Sequence, residues 1–435
     1  MSDILLIQPP VGNPINKSQF TIPLGLAYLA RVLQDNAYSV TVLDMGVEKT
    51  TRTTLSTILS REMPKLVGIT STVLTYNDGI RVASFIKKQK PNLPIVMGGP
   101  QASFLPEQTL EKGCIDIVAI SEGEITMLEI AGYYINGDIS SLSKIKGIAY
   151  KHNGQIVINE RRPFIENLDT IGFPARDLFD LNKYENPFSI ITGRGCPHAC
   201  TFCTNQNMWR RRYRVRSIDN VVKEIIEICD KYKPDMIHFI DDTFILDHKR
   251  VVSICDELIE KHIHVIWSCS SRGKPIPSYV LKKLREAGCR GIIIGAESGS
   301  NRVLRNIKKG ITKQDIEETV KGIHRGGIGV VCSFIIGFPC DTERSINETI
   351  QLAKQLASLQ ISKNEPPVLS QFGAVMPLPG TELFDNLPKR DRLFLMENWD
   401  RYDFSTPIIT PKNLSKREMQ NYMCKALKSG IRILV

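Results

Sequence analysis

Histidine is scarce in this 435-residue chain: there are seven, at positions 152, 198, 238, 248, 262, 264 and 324, so residues 1–150 contain none. Chemistry that needs an imidazole, as metal ligand or proton carrier, is therefore excluded from the first third of the chain. Long apolar runs are missing too. Nothing approaches the roughly 18–20 residues that span a bilayer. The opening Met-Ser-Asp and the short apolar run after it lack the pattern of a secretory signal and fit a buried strand better. These absences set the expectation of a cytoplasmic chain. No Gly-x-Gly-x-x-Gly fingerprint occurs, which argues against a dinucleotide ligand.

What is present is ordinary for a globular protein, with 42% hydrophobic and 23% charged residues, and the length suits two to four domains. The formal net charge is +10. Its densest source is Arg210, Arg211, Arg212, Arg214 and Arg216, interleaved with Trp209 and Tyr213. That stretch either lines a site for an anionic ligand or acidic carrier, or forms a solvated loop ahead of a helix capped by Ser217. No separate basic tail or recognition module accompanies it, so nucleic acid is not expected as a partner.

Of eleven cysteines, eight are scattered singly at 114, 229, 255, 269, 289, 332, 340 and 424, mostly inside apolar patterns, as reduced core cysteines are. The other three sit in Gly193-Arg194-Gly195-Cys196-Pro197-His198-Ala199-Cys200-Thr201-Phe202-Cys203-Thr204-Asn205, a polar loop after a predicted strand at 188–192. An odd number of closely spaced thiols argues against disulfide pairing. An iron–sulfur cube normally takes four thiolates. Three at C-x3-C-x2-C spacing would leave one iron open to a small-molecule ligand. The alternative is a zinc site completed by a distant fourth ligand, although zinc favours C-x2-4-C pairs.

Around this loop the chain alternates between short apolar runs and helical patterns, the signature of parallel α/β structure. Strands are predicted at 4–7, 40–43, 66–70, 95–97 and 117–120, with helices between them such as 24–34 and 78–88. Each strand ends in small or turn-forming residues, among them Ser71-Thr72, Gly98-Gly99-Pro100-Gln101 and Glu122-Gly123-Glu124. Ligands of doubly wound sheets bind at such carboxyl ends, and small residues there allow close approach. A hairpin follows around Asn153-Gly154, then a Pro/Asp/Asn-rich linker at 160–187. From 187 to 385 the alternation resumes, with strands at 188–192, 236–240, 265–269, 291–294, 330–336 and 371–376. Six such units without a dinucleotide fingerprint suggest a barrel whose function lies at the strands' carboxyl ends. Beyond 386 a helix at 416–428 is the one clear element.

The cysteine triplet, with Phe202 just before its third member, resembles the radical S-adenosylmethionine (SAM) superfamily. The first domain resembles the cobalamin-binding domain that precedes many such cores. That likeness rests on Ile7-Gln8-Pro9-Pro10, on Pro23-Leu24-Gly25-Leu26-Ala27-Tyr28-Leu29-Ala30, on Gly98-Gly99-Pro100-Gln101-Ala102 and on Glu122-Gly123-Glu124. Two positions depart from it, Gln101 where histidine is frequent and Ser121 where glycine is usual. The implied architecture is α/β: a Rossmann-like cobalamin-binding domain over 1–145, a hairpin and linker over 146–186, a partial (β/α)6 radical SAM barrel over 187–385, and a small helical, substrate-proximal segment over 386–435.

The resemblance implies that Cys196, Cys200 and Cys203 hold a [4Fe-4S] cluster, and that SAM meets Phe202, Asp242, Arg272, Glu297 and Gly299. The last two lie in Gly295-Ala296-Glu297-Ser298-Gly299, a family segment. Helix capping is the alternative role for Asp242 (or Asp247), and a surface salt bridge for Arg272. Cobalamin would meet Ser71, Thr72, Gly98, Gly99, Pro100, Gln101, Glu122, Gly123 and Glu124, the alternative being a ligand-free scaffold. The Asp-x-His-x-x-Gly loop that supplies an axial imidazole elsewhere is absent, so no histidine of this domain would reach cobalt from below. Weak lower ligation favours Co(I) and eases methyl transfer. In Gly337-Phe338-Pro339-Cys340, Cys340 stands where the family has glycine, as a bland buried residue or a second reactive thiol.

The implied activity is methylation of an unactivated carbon through methylcobalamin and a 5′-deoxyadenosyl radical. Alternatives are cyclisation, oxidation or rearrangement with the same cofactors, as in anaerobic magnesium-porphyrin cyclases, a SAM-only radical enzyme with a scaffold first domain, and a non-catalytic binding protein with a decayed site. A small-molecule or peptide substrate is expected. So is an external electron donor such as flavodoxin or ferredoxin, since the sequence holds no second cysteine cluster.

Overall fold

A computed structural model describes residues 1–11, 21–428 and 432–433. The chain divides into two compact units: Met1–Pro187 with Leu393–Asp400, and Phe188–Arg392 with Arg401–Val435.

The first unit is built on strands β1 (Ile4–Gln8), β2 (Val40–Asp44), β3 (Leu66–Thr70), β4 (Ile95–Gly98), β5 (Ile117–Ala119), β6 (Ile148–His152) and β7 (Gln155–Ile158). Their order is β2-β1-β3-β4-β5-β6-β7. β1 through β5 are parallel. The central strands are covered on both faces, hence continuous apolar runs such as Ile4-Leu5-Leu6-Ile7, all fully buried. Helix Leu24–Asp35 turns Leu26, Ala30 and Leu33 into the same core as Leu6, Val96 and Met127. The order reverses at β1, and ligands of such sheets bind at the carboxyl ends beside that switch point.

Two features of this unit differ in detail from the sequence-based outline. The hairpin is part of the sheet, because β6 pairs antiparallel with β5 and continues it. Its turn has Asn153 at φ +49° and Gly154 at φ +80°, the pair of positive values a type I′ turn requires. The linker after it is packed down rather than loose. Leu168, Ala175 and Arg176 are buried, Arg31 Nε donates to the Phe173 carbonyl at 3.0 Å, and the Tyr184 hydroxyl meets Asp44 Oδ2 at 3.2 Å. Residues Leu393–Asp400 also belong here, with Trp399 set edge-on against Tyr76 at 6.4 Å.

The second unit contains β8 (Ser189–Ile190), β9 (Gly193–Arg194), β10 (Arg214–Val215), β11 (Met236–Phe239), β12 (Ile266–Ser271), β13 (Cys289–Glu297), β14 (Gly329–Ile336), β15 (Val368–Ala374) and β16 (Arg432–Ile433). The main sheet runs β16-β15-β14-β13-β12-β11-β8, all parallel. Six strands in sequential order, alternating with helices such as Ile218–Tyr232, His248–Glu260, Ser278–Glu286, Lys313–Arg325 and Glu343–Ala357, make the expected partial barrel. β16 adds a seventh, edge strand. Helix starts are locally encoded: Ser217 and Asp247 cap the first two, and Thr312 and Thr342 form capping boxes. Among the described residues no helix is long and apolar enough to cross a membrane.

Candidate active site

The cysteine loop is closed at its base by a short antiparallel ladder of β9 and β10, which pairs Arg194 with Arg214 and Gly193 with Val215. Gly195 opens the loop at φ +92°, where a side chain would collide with the Arg212 carbonyl. Two backbone bonds fix the middle: Thr201 N donates to the Ile307 carbonyl at 3.0 Å, and Leu383 N donates to the Thr201 carbonyl at 2.8 Å. The arginine cluster divides between two roles. Arg214 and Arg216 are buried, Arg214 over the Trp209 ring at 5.5 Å and Arg216 paired with the buried Glu224. Arg210, Arg211 and Arg212 are exposed, and Arg211 Nε reaches the Pro197 carbonyl at 3.1 Å.

Within the loop Cys200 is buried and Cys196 and Cys203 are half-buried; all three are free thiols. Burial pushes the Cys196 thiol up and that of Cys203 up to about 12. Coordination to a metal reverses this, because a ligating thiol is deprotonated outright. Arg272 Nη1 donates to Cys200 Sγ at 3.4 Å. Burial, then the cations Arg272, Lys309, Lys274 and Arg211, hold His198 down at about 4, so this ring is neutral at physiological pH. Among the described residues no three His, Cys, Asp or Glu side chains converge as ligands of a single metal ion.

Of the other predicted SAM contacts, Asp242 and Arg272 touch this loop, and Glu297 and Gly299 stand at and just after the end of β13. Asp242 accepts from Gly195 N at 3.1 Å, and burial raises its carboxyl above the usual range. The capping role falls instead to Asp247, which accepts from Lys249 N and Arg250 N. Asp241, next to Asp242, is buried, accepting from Thr192 N at 3.0 Å and Thr192 Oγ1 at 2.8 Å. Phe202 packs on Phe338 with ring centroids 5.5 Å apart. A register shift between Gly295 and Glu297 ends β13 and leaves Glu297 at φ +60°, where its carboxylate meets Lys309 Nζ at 2.7 Å. Gly299 is bare for another reason: a Cβ there would stand 2.6 Å from the Glu348 carbonyl and 2.8 Å from Thr349 Cα. Its smallness admits helix Glu343–Ala357. Cys340 is half-buried, and its thiol is pushed up to about 11, chiefly by burial.

Lys309 is the participant that the sequence left unmarked. It follows Lys308, and nothing local separates the two; yet Lys308 is exposed and reaches Glu382 while Lys309 is buried on Glu297.

In the first unit, the predicted cobalamin contacts cluster at the carboxyl ends of β3, β4 and β5. The Ser71 hydroxyl donates to the Gly98 carbonyl at 2.8 Å and receives Ala102 N at 3.3 Å. Gly99, at φ +88°, leaves no room for a Cβ, which would lie 2.5 Å from the Ser71 carbonyl. Exposed Thr72 is held by Thr75, and Pro100 begins helix Pro100–Phe104. Gln101 is buried, and its Nε2 has no hydrogen-bond partner among the described residues. An unmet buried donor costs free energy, and a cofactor rimmed with amide carbonyls would supply its acceptor. Glu122 accepts from Ile165 N at 2.9 Å, Gly123 presses against Leu29, and buried Glu124 begins helix Glu124–Ala131. Ser121 sits at φ +73°, which is why glycine is the natural residue there.

The chain thus consists of one unit built on a sheet with a switch point and a second that is a partial barrel bearing three thiols on one loop. Residues 190–353 match the radical SAM superfamily and residues 16–131 match the B12 binding domain. An uncharacterized methyltransferase of Pyrococcus horikoshii is 35% identical over 430 residues, covering 97% of this chain and 91% of the relative. The anaerobic magnesium-protoporphyrin IX monomethyl ester cyclase of Rubrivivax gelatinosus is 26% identical over 91% of this chain and 71% of its own. In fold, the chain is similar to the radical SAM methyltransferase TsrM of Kitasatospora setae, with cobalamin and a [4Fe-4S] cluster bound there. The TM-score is 0.73 at 20% identity, covering 88% of this chain and 74% of TsrM. The chain belongs to the radical SAM superfamily, in the branch that carries a B12 binding domain ahead of the radical core. It is a radical SAM enzyme whose cofactors are a [4Fe-4S] cluster, SAM and cobalamin.

Proposed function

We propose that the chain transfers a methyl group from SAM to an unactivated carbon of a small-molecule or peptide substrate. When bound, the cluster, SAM and cobalamin together supply a carbon-centred radical and a transferable methyl group; the protein's part is orientation and exclusion. In this reading Cys196, Cys200 and Cys203 hold the cluster, with Arg272 Nη1 on Cys200 Sγ tuning the charge on that ligand. Asp242 keeps the mouth of the loop in place through Gly195 N and offers a carboxylate to the methionine ammonium of SAM. Phe202 and Phe338 form an apolar wall against water. Glu297, pinned by Lys309, accepts from ribose hydroxyls.

Ser71, Thr72, Gly98, Gly99, Pro100, Gln101, Glu122, Gly123 and Glu124 would cradle cobalamin, with Gln101 Nε2 as the donor still in need of an acceptor. With no histidine before residue 152, this domain would offer bound cobalamin no imidazole of its own. The electron would come from a flavodoxin or ferredoxin in a reducing cytoplasm, a setting that suits eleven free thiols.

The single observation that carries the reading is the likeness to the Pyrococcus methyltransferase along 97% of the chain, with the three cysteines set in one clasped loop. The test is anaerobic reconstitution with iron, sulfide and hydroxocobalamin, followed by turnover with SAM deuterated at its methyl group. Near-stoichiometric cobalt after desalting and intact trideuteromethyl in a product support it. A cluster without retained cobalt overturns it in favour of a SAM-only radical enzyme. Retained cobalt with 5′-deoxyadenosine and no labelled product points to the cyclase-type chemistry of the Rubrivivax relative.

A further inference from the structure

The helix-facing side of the second unit's sheet is closed. Trp267 is buried and donates from Nε1 to the Ala287 carbonyl at 2.7 Å, and Ile292 and Ile294 are likewise buried. Alternation along a strand turns the residues between them to the opposite, inner face. There Ile293 is 44% exposed, Leu369 38%, Ile266 44% and Ile240 45%. The register places Ser270 beside Ile293, Ile293 beside Val331 and Val331 beside Leu369, a row across β12 to β15, while Ile266 lies four residues below Ser270 on β12 and Ile240 follows the end of β11. One level nearer the strand ends runs a row of small and neutral polar residues, Gly295, Ser333 and Gln371. Below the level of Glu297, the inward positions of β11 to β15 carry no aspartate, glutamate, lysine or arginine. The one titratable group among them, His238, donates to or accepts from Ser268 at 2.7 Å and is held towards its neutral form by burial.

The charged Asp242, Arg272, Glu297 and Lys309 are therefore confined to the strand ends; the inward positions of the strands below are neutral, aliphatic at Ile293, Val331 and Leu369 and polar at Ser270, Ser268 and His238. Ile293 is four residues below Glu297, or about 13 Å along the strand. A charged group seated there would find no counter-charge. Contiguous exposed apolar surface of this kind marks a binding site, and this one is continuous with the candidate active site.

We propose that this inner face seats an uncharged, apolar portion of the methyl acceptor, an alkyl or isoprenoid-like group, inserted past the charged strand ends. The inference rests on the methyl-transfer reading and deepens it: saturated hydrocarbon is the kind of carbon that offers no polar handle and calls for a radical route.

The test uses the reconstituted holoenzyme and the neutral apolar fluorophore N-phenyl-1-naphthylamine. Saturable one-site binding is expected, weakened at least tenfold by Ile293→Asp and by Leu369→Asp. Ile361→Asp, at a position 89% exposed elsewhere, serves as the control and leaves it unchanged. Because Ile293 and Leu369 are open to solvent, the thermal midpoints should hold. If either falls, Ile293→Trp, which fills the seat without charge, must weaken the probe equally. Absence of saturable binding, or undiminished binding to the variants, overturns the proposal. So does a wild-type dimer that Ile293→Asp dissociates in sedimentation, since the face would then belong to a second copy. Probe binding needs no turnover. Binding without methyl transfer overturns the reaction alone, and methyl transfer without binding overturns the apolar seat alone.

Discussion

Lys309 Nζ and Glu297 Oε1 meet at 2.7 Å in a buried ion pair, the carboxylate carried on a residue whose φ is +60°. The pair lies over the bare Cα of Gly295, where a Cβ would be 2.6 Å from the carboxylate and 2.7 Å from the ammonium. Backbone strain, charge and a missing side chain are thus combined at one strand end beside the cysteine loop.

Removing one member strands the other. Lys309→Met should destabilise the protein by about 3–5 kcal/mol, the usual cost of a buried charge left unpaired. Lys309→Met with Glu297→Gln together should recover part of that loss in a urea melt, while SAM affinity stays impaired in both. If the single variant melts like wild type, the pair has no structural weight.

The cysteines should be equivalent with respect to iron. Cys196→Ala, Cys200→Ala and Cys203→Ala should each reconstitute with little iron and cleave SAM only at background rate. Cys340→Ser should keep both iron and cleavage. At neutral pH the Cys340 thiol, pushed up to about 11, should also alkylate slowly, its rate rising with pH towards that value.

Gly99→Ala forces a Cβ against the Ser71 carbonyl at a φ that disfavours side chains. A loss of about 1–3 kcal/mol is expected from the strain, with a lower cobalt-to-protein ratio after reconstitution. Ser121→Gly, by contrast, relieves a positive φ and should raise the melting temperature slightly.

Asp241 titrates near 6 because burial penalises its charged form, with its Oδ2 unpartnered among the described residues. The facing charged and titratable groups, Arg250 and Tyr213, do not reverse this. Between pH 4 and 6 the folded protein holds a proton that the unfolded chain releases, so this group makes stability fall as pH rises through that window. The full effect is about 2–3 kcal/mol at 1.36 kcal/mol per pKa unit. Asp241→Asn should flatten the pH dependence of the melting temperature and stabilise the protein at pH 7.

The sequence by itself determined the local and periodic features of this protein. Apolar runs with turn-forming ends placed the strands of both sheets within a residue or two at most positions, because a strand covered on both faces must be apolar along its length. Asn153-Gly154 determined a turn, Ser217 and Asp247 determined helix starts, and the cysteine spacing determined the cluster motif, since each depends on neighbours a few residues away. Tertiary structure alone decided which lysine is buried: Lys308 and Lys309 differ only in the direction that the end of helix Asn301–Asn306 gives them. It alone decided that Gly99 and Gly299 are small to admit another stretch of backbone, that Arg214 and Arg216 are structural while Arg210 to Arg212 face solvent, and that Leu393–Asp400 packs with the first unit. Those outcomes depend on how separate elements pack, across 8 residues for Arg216 and Glu224 and 74 for Lys308 and Glu382, and such contacts leave no periodicity in the chain to read.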